Sequence, residues 1–193
     1  MLSRKQGDVL VKFARNSIKQ IFEGKGRDGL KNLGEFSKKH GVFVTLLSFP
    51  SHELRGCIGF PYPNLSLDRA VKEAAIAAAF SDCRFQPLQK NELKDIIIEI
   101  SMLTIPEEIK CKKNELQSKI KIGQDGLIIS YKGQSGLLLP QVPVEWGWDS
   151  HEFLEQICMK AGLDKKSWKQ KDCKIYNFQA QIFSEEKPEG KII

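Results

Sequence analysis

The segment LRGCIG, residues 54–59, places groups that can do chemistry inside a short apolar run. Arg55 and Cys57 are two residues apart, so they share one face of a strand. A cysteine is a nucleophile when a nearby cation or base favours its thiolate, and Arg55 is such a cation. The alternative is a packed thiol, because free cysteine is among the most buried residue types. Gly56 and Gly59 indicate that a ligand or a neighbouring backbone comes close.

Arginine is scarce in this chain, which has 24 lysines and 6 arginines. Arg55 lies in an apolar strand, and Arg84 lies in the segment SDCRF. A half-buried guanidinium binds a carboxylate or a phosphate through two parallel hydrogen bonds, a geometry that lysine cannot supply. Two interpretations stay open: an internal ion pair with Glu99 or Asp82, or a site for a small anion. Since two arginines exceed what one carboxylate requires, we expect one guanidinium to remain available.

These residues define a predicted site near LRGCIG. Cys57 is the candidate nucleophile or redox thiol, and Glu99 is the candidate acid or base. Ser101 shares the face of Glu99 on a very apolar strand. Gln141 follows a proline, where its amide can hydrogen-bond a ligand or a loop carbonyl. The predicted ligand-binding residues are Arg55, Gly56, Asp82, Arg84, Ser101 and Gln141.

Hydrophobic periodicity predicts the elements that position this site. GVFVTLLSF and LRGCIGF form an antiparallel hairpin through FPSHE, the alanine-rich LDRAVKEAAIAAAF forms a helix, and DIIIEISMLTI forms a strand in the same sheet. IKIGQDG, GLIISYKGQSG and GLLLPQV have the appearance of short strands joined by tight turns. Asp149 caps a further helix through a D-x-x-E pattern. Because hairpins dominate, we expect one α+β domain over residues 1–193, with largely antiparallel sheets and packed helices.

Composition excludes several classes of protein. The chain is 41% hydrophobic and 28% charged with a net charge of +6. Its first 22 residues are charged throughout and lack the apolar region of a secretory signal, and no apolar run approaches the length of a membrane span, so we expect neither. Five cysteines without a C-x-x-C pair argue against a disulfide framework and structural zinc, so we expect no metal and a cytoplasmic location. Lysines cluster at Lys110–Lys113 and Lys165–Lys174, with little aromatic interleaving. That pattern argues against nucleic-acid recognition, although charge alone permits weak polyanion contact. No core signal appears in residues 185–193, which we expect to be a flexible tail.

Taken together, the motifs resemble those of the AMMECR family. GVFVTL, LRGCIG, SDCRF, IGQDGLII, GLLLPQV and KAGL follow one another in the order of that family, from about Gly41 to about Ser184. The resemblance implies an α+β fold with a larger and a smaller lobe, and a pocket between the lobes near LRGCIG. It also implies a Memo-like protein and a radical S-adenosylmethionine enzyme as functional neighbours. It implies neither an established activity nor a cofactor.

Two functions follow from these observations. The first is an enzyme, or a component of one, that binds a small anionic ligand in a cleft near Leu54–Gly59. The second is a non-catalytic binding or adaptor module whose polar cluster only stabilises the fold. A buried arginine–glutamate network with an inert Cys57 favours the second, whereas an open cleft with an exposed Cys57 favours the first. The sequence alone leans slightly towards the enzyme.

Overall fold

The computed structural model describes residues 2–25 and 33–193, which form two compact units. The first unit comprises Met1–Leu103 and Gln181–Ile193, and the second comprises Thr104–Ala180. In chain order the elements are α1 (Arg4–Phe22), β1 (Gly41–Ser48), β2 (Leu54–Phe60), α2 (Leu67–Phe80), β3 (Ile96–Leu103), β4 (Glu107–Glu108), β5 (Gly126–Tyr131), β6 (Gln134–Leu138), α3 (Gln141–Glu145), α4 (Ser150–Lys160), β7 (Lys174–Phe178) and β8 (Ala180–Ser184). Short 3₁₀ helices lie at Gly34–Phe36, Lys90–Asp95, Leu116–Lys119 and Ser167–Lys169.

The strands form two four-stranded sheets, in the orders β2-β1-β3-β8 and β4-β7-β5-β6. In the first sheet, β1 pairs antiparallel with both β2 and β3, so the predicted hairpin and the predicted third strand are confirmed. In the second sheet, β7 pairs antiparallel with β4 and β5, and β5 pairs antiparallel with β6. The predicted α+β class with largely antiparallel sheets is therefore confirmed.

The core of the first unit lies between one face of its sheet and helices α1 and α2. Alternate residues of β3, from Ile96 through Ile98 and Ile100 to Met102, are buried in this core. Five of the six alanines of α2 are buried in the same core, where small side chains allow helix and sheet backbones to approach. Helix α1 begins at the N-cap Ser3, whose side chain takes part in a capping box with Gln6.

The second unit packs α4 against the sheet that contains β5 and β7. Its core contains Phe153, Leu154 and Ile157 from the helix, together with residues of both strands. Asp149 accepts a hydrogen bond from the Glu152 N–H, as the sequence predicts.

Two predicted segments of this unit differ in the structure. IKIGQDG is not a strand, because it follows a 3₁₀ helix and turns before β5 begins. The turn is held by the carboxylate of Asp125, which accepts from the N–H of Lys121 at 2.9 Å. GLLLPQV ends β6 and begins the short helix α3, because the chain enters helical backbone at Pro140.

Residues 185–193 contribute to the core of the first unit, although their sequence shows no core signal. Ile192 is buried in the core of the first unit, and Glu185 and Ile192 form an isolated antiparallel bridge. Glu185 also forms a buried ion pair with Arg15 of α1 and accepts a hydrogen bond from the Ile98 N–H of β3. The pattern is hard to read from sequence because a single apolar residue and a single carboxylate carry these contacts.

No helix within residues 2–25 and 33–193 has the length and apolar character needed to cross a bilayer.

Candidate functional site

LRGCIG forms β2, which is the edge strand of the first sheet. Cys57 faces Thr45 of β1, and Thr45 in turn faces Glu99 of β3. Because directly opposed residues of antiparallel strands project from the same face, these three polar side chains form a row across the sheet. The hydroxyl of Thr45 donates a hydrogen bond to the Cys57 sulfur at 3.3 Å. Thr45 is absent from the sequence-predicted site, since a threonine in a strand is usual.

The Cys57 thiol is half-buried, and burial is the main reason why its pKa lies above the usual range. The Thr45 hydrogen bond and the Arg84 charge oppose this effect, whereas Asp82 and Glu99 add to it. The thiol is therefore protonated at neutral pH. This direction favours the packed thiol, one of the two alternatives that the sequence left open, over a thiolate stabilised by Arg55, whose guanidinium is bound to Glu92.

Arg55 forms a bidentate ion pair with Glu92. Its Nε and Nη2 donate to the two carboxylate oxygens at 2.8 and 3.1 Å, and this pairing lowers the pKa of Glu92. Arg55 is in position to do this because the β1–β2 register shifts here: Leu46 faces Gly56, Leu47 faces Leu54, and Arg55 has no partner on β1. The ion-pair interpretation is thus right: Arg84 pairs with Asp82, one of the partners expected from the sequence, whereas Arg55 pairs with Glu92, which was not expected.

Glu92 lies on the 3₁₀ helix Lys90–Asp95, where its carboxylate also accepts from the N–H of Gln89 at 2.6 Å. The Q-x-x-E spacing of a capping box is the sequence signal that could have placed this carboxylate at a helix start. Nothing in that pattern indicates a partner 37 residues earlier in the chain.

Asp82 and Arg84 lie in the loop after α2 and bind both each other and the backbone of Cys57. Arg84 donates through Nε and Nη2 to the Asp82 carboxylate at 2.9 and 2.7 Å. Asp82 accepts from the Cys57 N–H at 2.9 Å, and Arg84 Nη2 donates to the Cys57 carbonyl at 3.1 Å. The pair therefore takes the place of a neighbouring strand at the free edge of β2. The guanidinium is the main reason why the pKa of Asp82 falls to about 2, and the carboxylate raises the pKa of Arg84.

Phe85 lies between the two guanidinium groups. Its ring centroid is 5.9 Å from Cζ of Arg55 and 5.5 Å from Cζ of Arg84, at the outer limit of cation–π contact. We call Arg55, Cys57, Asp82, Arg84, Phe85 and Glu92 the LRGCIG cluster.

The glycines of β2 are explained by neighbouring protein atoms. A Cβ on Gly56 would lie 2.3 Å from the carbonyl oxygen of Ala78 in α2, and one on Gly59 would lie 2.4 Å from the ring of Phe43. Of the two possibilities that the sequence left open for Gly56, the close approach of a backbone is the one observed. The space that a ligand would need at this position is filled.

Ser101 and Gln141 each hold a buried side-chain oxygen that has no hydrogen-bond partner within the described residues. Ser101 lies two residues beyond Glu99 on β3, so it extends the polar face of the sheet. Gln141 is the first residue of α3 in the second unit. The structure thus brings Arg55, Cys57, Asp82 and Arg84 together with Glu92, and it aligns Glu99 with Cys57 through Thr45.

The chemistry of the cluster is that of balanced charges and a neutral thiol. Two guanidinium groups are matched by two carboxylates, and the buried Nη1 of Arg55 has no partner in the part of the chain described. Within residues 2–25 and 33–193, no group of three or more histidine, cysteine, aspartate and glutamate side chains could hold a metal ion.

Comparison with known proteins agrees with the sequence motifs. The AMMECR1 family model matches residues 11–183. A protein of Methanocella arvoryzae is 48% identical over 195 residues, covering 100% of this chain and 98% of its own, and protein MJ0810 of Methanocaldococcus jannaschii is 47% identical, covering 100% and 96%. The crystal structure of the uncharacterized protein PH0010 from Pyrococcus horikoshii matches with a TM-score of 0.94 at 44% identity, covering 100% of this chain and 97% of that one. The chain therefore belongs to the AMMECR1 family.

Proposed function

We propose that this protein is a non-catalytic binding module and that its LRGCIG cluster stabilises the edge of the first sheet. The observation that carries this proposal is that each arginine of the cluster has a carboxylate of its own, Glu92 for Arg55 and Asp82 for Arg84. An enzyme site that binds an anion through arginine needs at least one guanidinium whose two parallel N–H donors are free for the ligand. Here a ligand would have to displace a bidentate carboxylate.

The state of Cys57 supports the same conclusion. A catalytic cysteine is usually partly exposed in an electropositive environment that lowers its pKa. Burial and two nearby carboxylates raise the pKa of this thiol instead. Its backbone N–H and carbonyl are both used to hold Asp82 and Arg84, which is a structural role.

A binding module needs a surface that a partner can cover, and the second unit exposes one. The side chains of Trp146 and Val144 are 70% and 59% exposed. Trp146 stacks on Trp148 with a centroid distance of 6.0 Å and an interplanar angle of 17°. Gly147, with a φ of +66°, makes the turn between the two rings. Exposed tryptophans are rare on surfaces that stay in water and are the most frequent hot spots of protein interfaces.

The Memo-like protein implied by the family resemblance is the partner that we propose for this surface. The test is isothermal titration of the Memo-like protein from the same organism into the wild type and into Trp146→Ala. We expect the variant to bind at least about 30-fold more weakly, the loss typical of an interface hot spot. Ile105→Ala is the matched control, because Ile105 is equally exposed in the same unit.

Three results would contradict the proposal in different ways. Equal binding by both variants and the wild type would place the interface elsewhere. If the radical S-adenosylmethionine enzyme binds and the Memo-like protein does not, the proposed partner is wrong and the radical S-adenosylmethionine enzyme takes its place. No binding of either protein, together with turnover of a substrate that depends on Cys57, would restore the enzyme hypothesis, which the row of Cys57, Thr45 and Glu99 supports.

A further inference from the structure

The two lysine runs of the sequence meet at one cavity in the second unit. Residues 108–113 and 171–175 are sixty residues apart in the chain, but the N–H of Ile109 donates to the carbonyl of Ile175 at 2.9 Å and so joins the two segments. Between them lies a cavity of about 450 Å³. The sequence shows two lysine clusters but does not predict that they meet, whereas the fold brings residues of both to one cavity.

The lining of this cavity is basic. Four lysines and two carboxylates give it a net charge of +2; they are Lys110, Lys113, Lys171, Lys174, Glu108 and Asp172. Lys174 lies 3.9 Å from Glu108 in a mostly exposed pair, which contributes little. Lys113 donates to the carbonyl of Cys173 at 2.5 Å, so its ammonium is held at the wall.

Lys110 and Lys171 are the two lysines that remain available for a ligand. Both are exposed, and neither lies within ion-pair distance of a carboxylate among residues 2–25 and 33–193. Two ammonium groups that line one cavity, with that of Lys113 as a third, suit a ligand that carries more than one negative charge.

The floor of the cavity is apolar and contains two thiols. It is formed by Ile109, Leu116 and Ile175, with Cys111 and Cys173 beside them. A volume in the range of small-molecule sites, an apolar floor and a rim of point charges favour a compact ligand with a charged end.

We propose that this cavity binds a small phosphorylated metabolite through its diphosphate or polyphosphate group. Lysine recognises phosphate as a point charge and does not need the planar geometry that a carboxylate–guanidinium pair uses. The proposal is independent of the binding-module function, since it concerns other residues and a different ligand class.

The test is isothermal titration of the full chain with pyrophosphate. We expect binding that weakens as salt is raised, and a loss of at least about tenfold in the Lys110→Gln, Lys171→Gln double variant. The control is Lys38→Gln with Lys39→Gln, two exposed lysines of the first unit whose removal changes the net charge equally.

A second measurement reports directly on the cavity. Cys111 lines it and is partly exposed, whereas Cys83 is exposed in the first unit. Bound pyrophosphate should slow the alkylation of Cys111 by iodoacetamide and leave that of Cys83 unchanged. The proposal is overturned if pyrophosphate protects neither cysteine and does not bind. It is also overturned if both double variants lose affinity equally, or if sulfate at the same ionic strength binds as well as pyrophosphate.

Discussion

Asp82→Asn removes one negative charge and one hydrogen-bond acceptor from the LRGCIG cluster. In the wild type this carboxylate accepts from Arg84 through both oxygens and from the Cys57 N–H. The amide of asparagine has only one acceptor oxygen, so it can bind the backbone N–H or one N–H of the guanidinium. Its NH₂ group would be directed at another donor. We therefore expect the variant to fold with the edge of β2 weakened.

The magnitude follows from the pKa of Asp82. A fall from its ordinary value of 3.8 to about 2 corresponds to about 2 kcal/mol of stabilisation of the charged form. Arg84 is 47% exposed, so solvent screens part of this interaction. The lowered pKa already includes the hydrogen bond that Asp82 accepts from the Cys57 N–H, so this bond is not counted again. We expect a loss of about 1–2 kcal/mol at neutral pH, which lowers Tm by about 2–8 °C for a chain of this size.

Because the pKa is lowered on folding, the contribution of Asp82 is fully present above pH 3.8 and is lost as pH falls towards 2. The assay is thermal unfolding of the wild type and Asp82→Asn at about pH 7 and about pH 3. The difference in stability should be largest at pH 7 and smaller at pH 3. Asp95→Asn, an exposed aspartate of the same unit, should change stability by less than about 0.5 kcal/mol. A loss no larger than that of this control, or a difference that does not narrow in acid, would refute the reasoning.

Gly56→Ala should lower the free energy of unfolding, measured with urea, by about 1–3 kcal/mol, because the new methyl group meets a backbone carbonyl of α2. Gly34→Ala is the control: its methyl group would enter open space, so its free energy of unfolding should be nearly unchanged. Equal effects of the two changes would mean that the helix can move aside. Cys57 should react with iodoacetamide more slowly than the exposed Cys83 at neutral pH, as judged by site-resolved mass spectrometry; faster labelling of Cys57 would contradict the neutral, buried thiol. Glu185→Gln should lower the free energy of unfolding, measured with urea, by about 3–5 kcal/mol, because it leaves the buried guanidinium of Arg15 without its counter-charge. A cost below about 1 kcal/mol would show that water or another group compensates.

Local patterns in the sequence were sufficient to predict β1, β2 and β3 of the first sheet, but not the place of β8 beside β3. The β-branched runs around FPSHE predict the hairpin, and the alternation from Ile96 to Met102 predicts which residues of β3 share the face that packs in the core of the first unit. The capping pattern at Asp149 is equally local, because donor and acceptor are three residues apart. In each case the interaction that decides the structure lies within one or two adjacent elements.

The partners within the cluster could not be predicted in the same way. Arg55 reaches Glu92 where the β1–β2 register shifts beside Gly56, and no periodic pattern in the sequence records such a shift. The face shared by Cys57 and Glu99 was predictable from alternation once the strands were paired, but Thr45 between them was not distinctive. The thiol pKa depends on burial by atoms from several elements, which the spacing of Arg55 and Cys57 does not describe.

The first unit is completed by a segment, Gln181–Ile193, that is synthesised after the second unit. The N–H of Leu2 donates to the side-chain oxygen of Gln181, Arg15 pairs with Glu185, and β8 takes the place beside β3. During translation, residues up to 103 therefore leave the ribosome before Glu185, the partner of Arg15, has been made. One edge of β3 is also still uncovered, because β8 follows later in the chain. The second unit, which is contiguous, can fold meanwhile. At ordinary elongation rates the first unit waits roughly 4–15 s for its last strand, an interval in which a nascent-chain chaperone would find an open sheet edge.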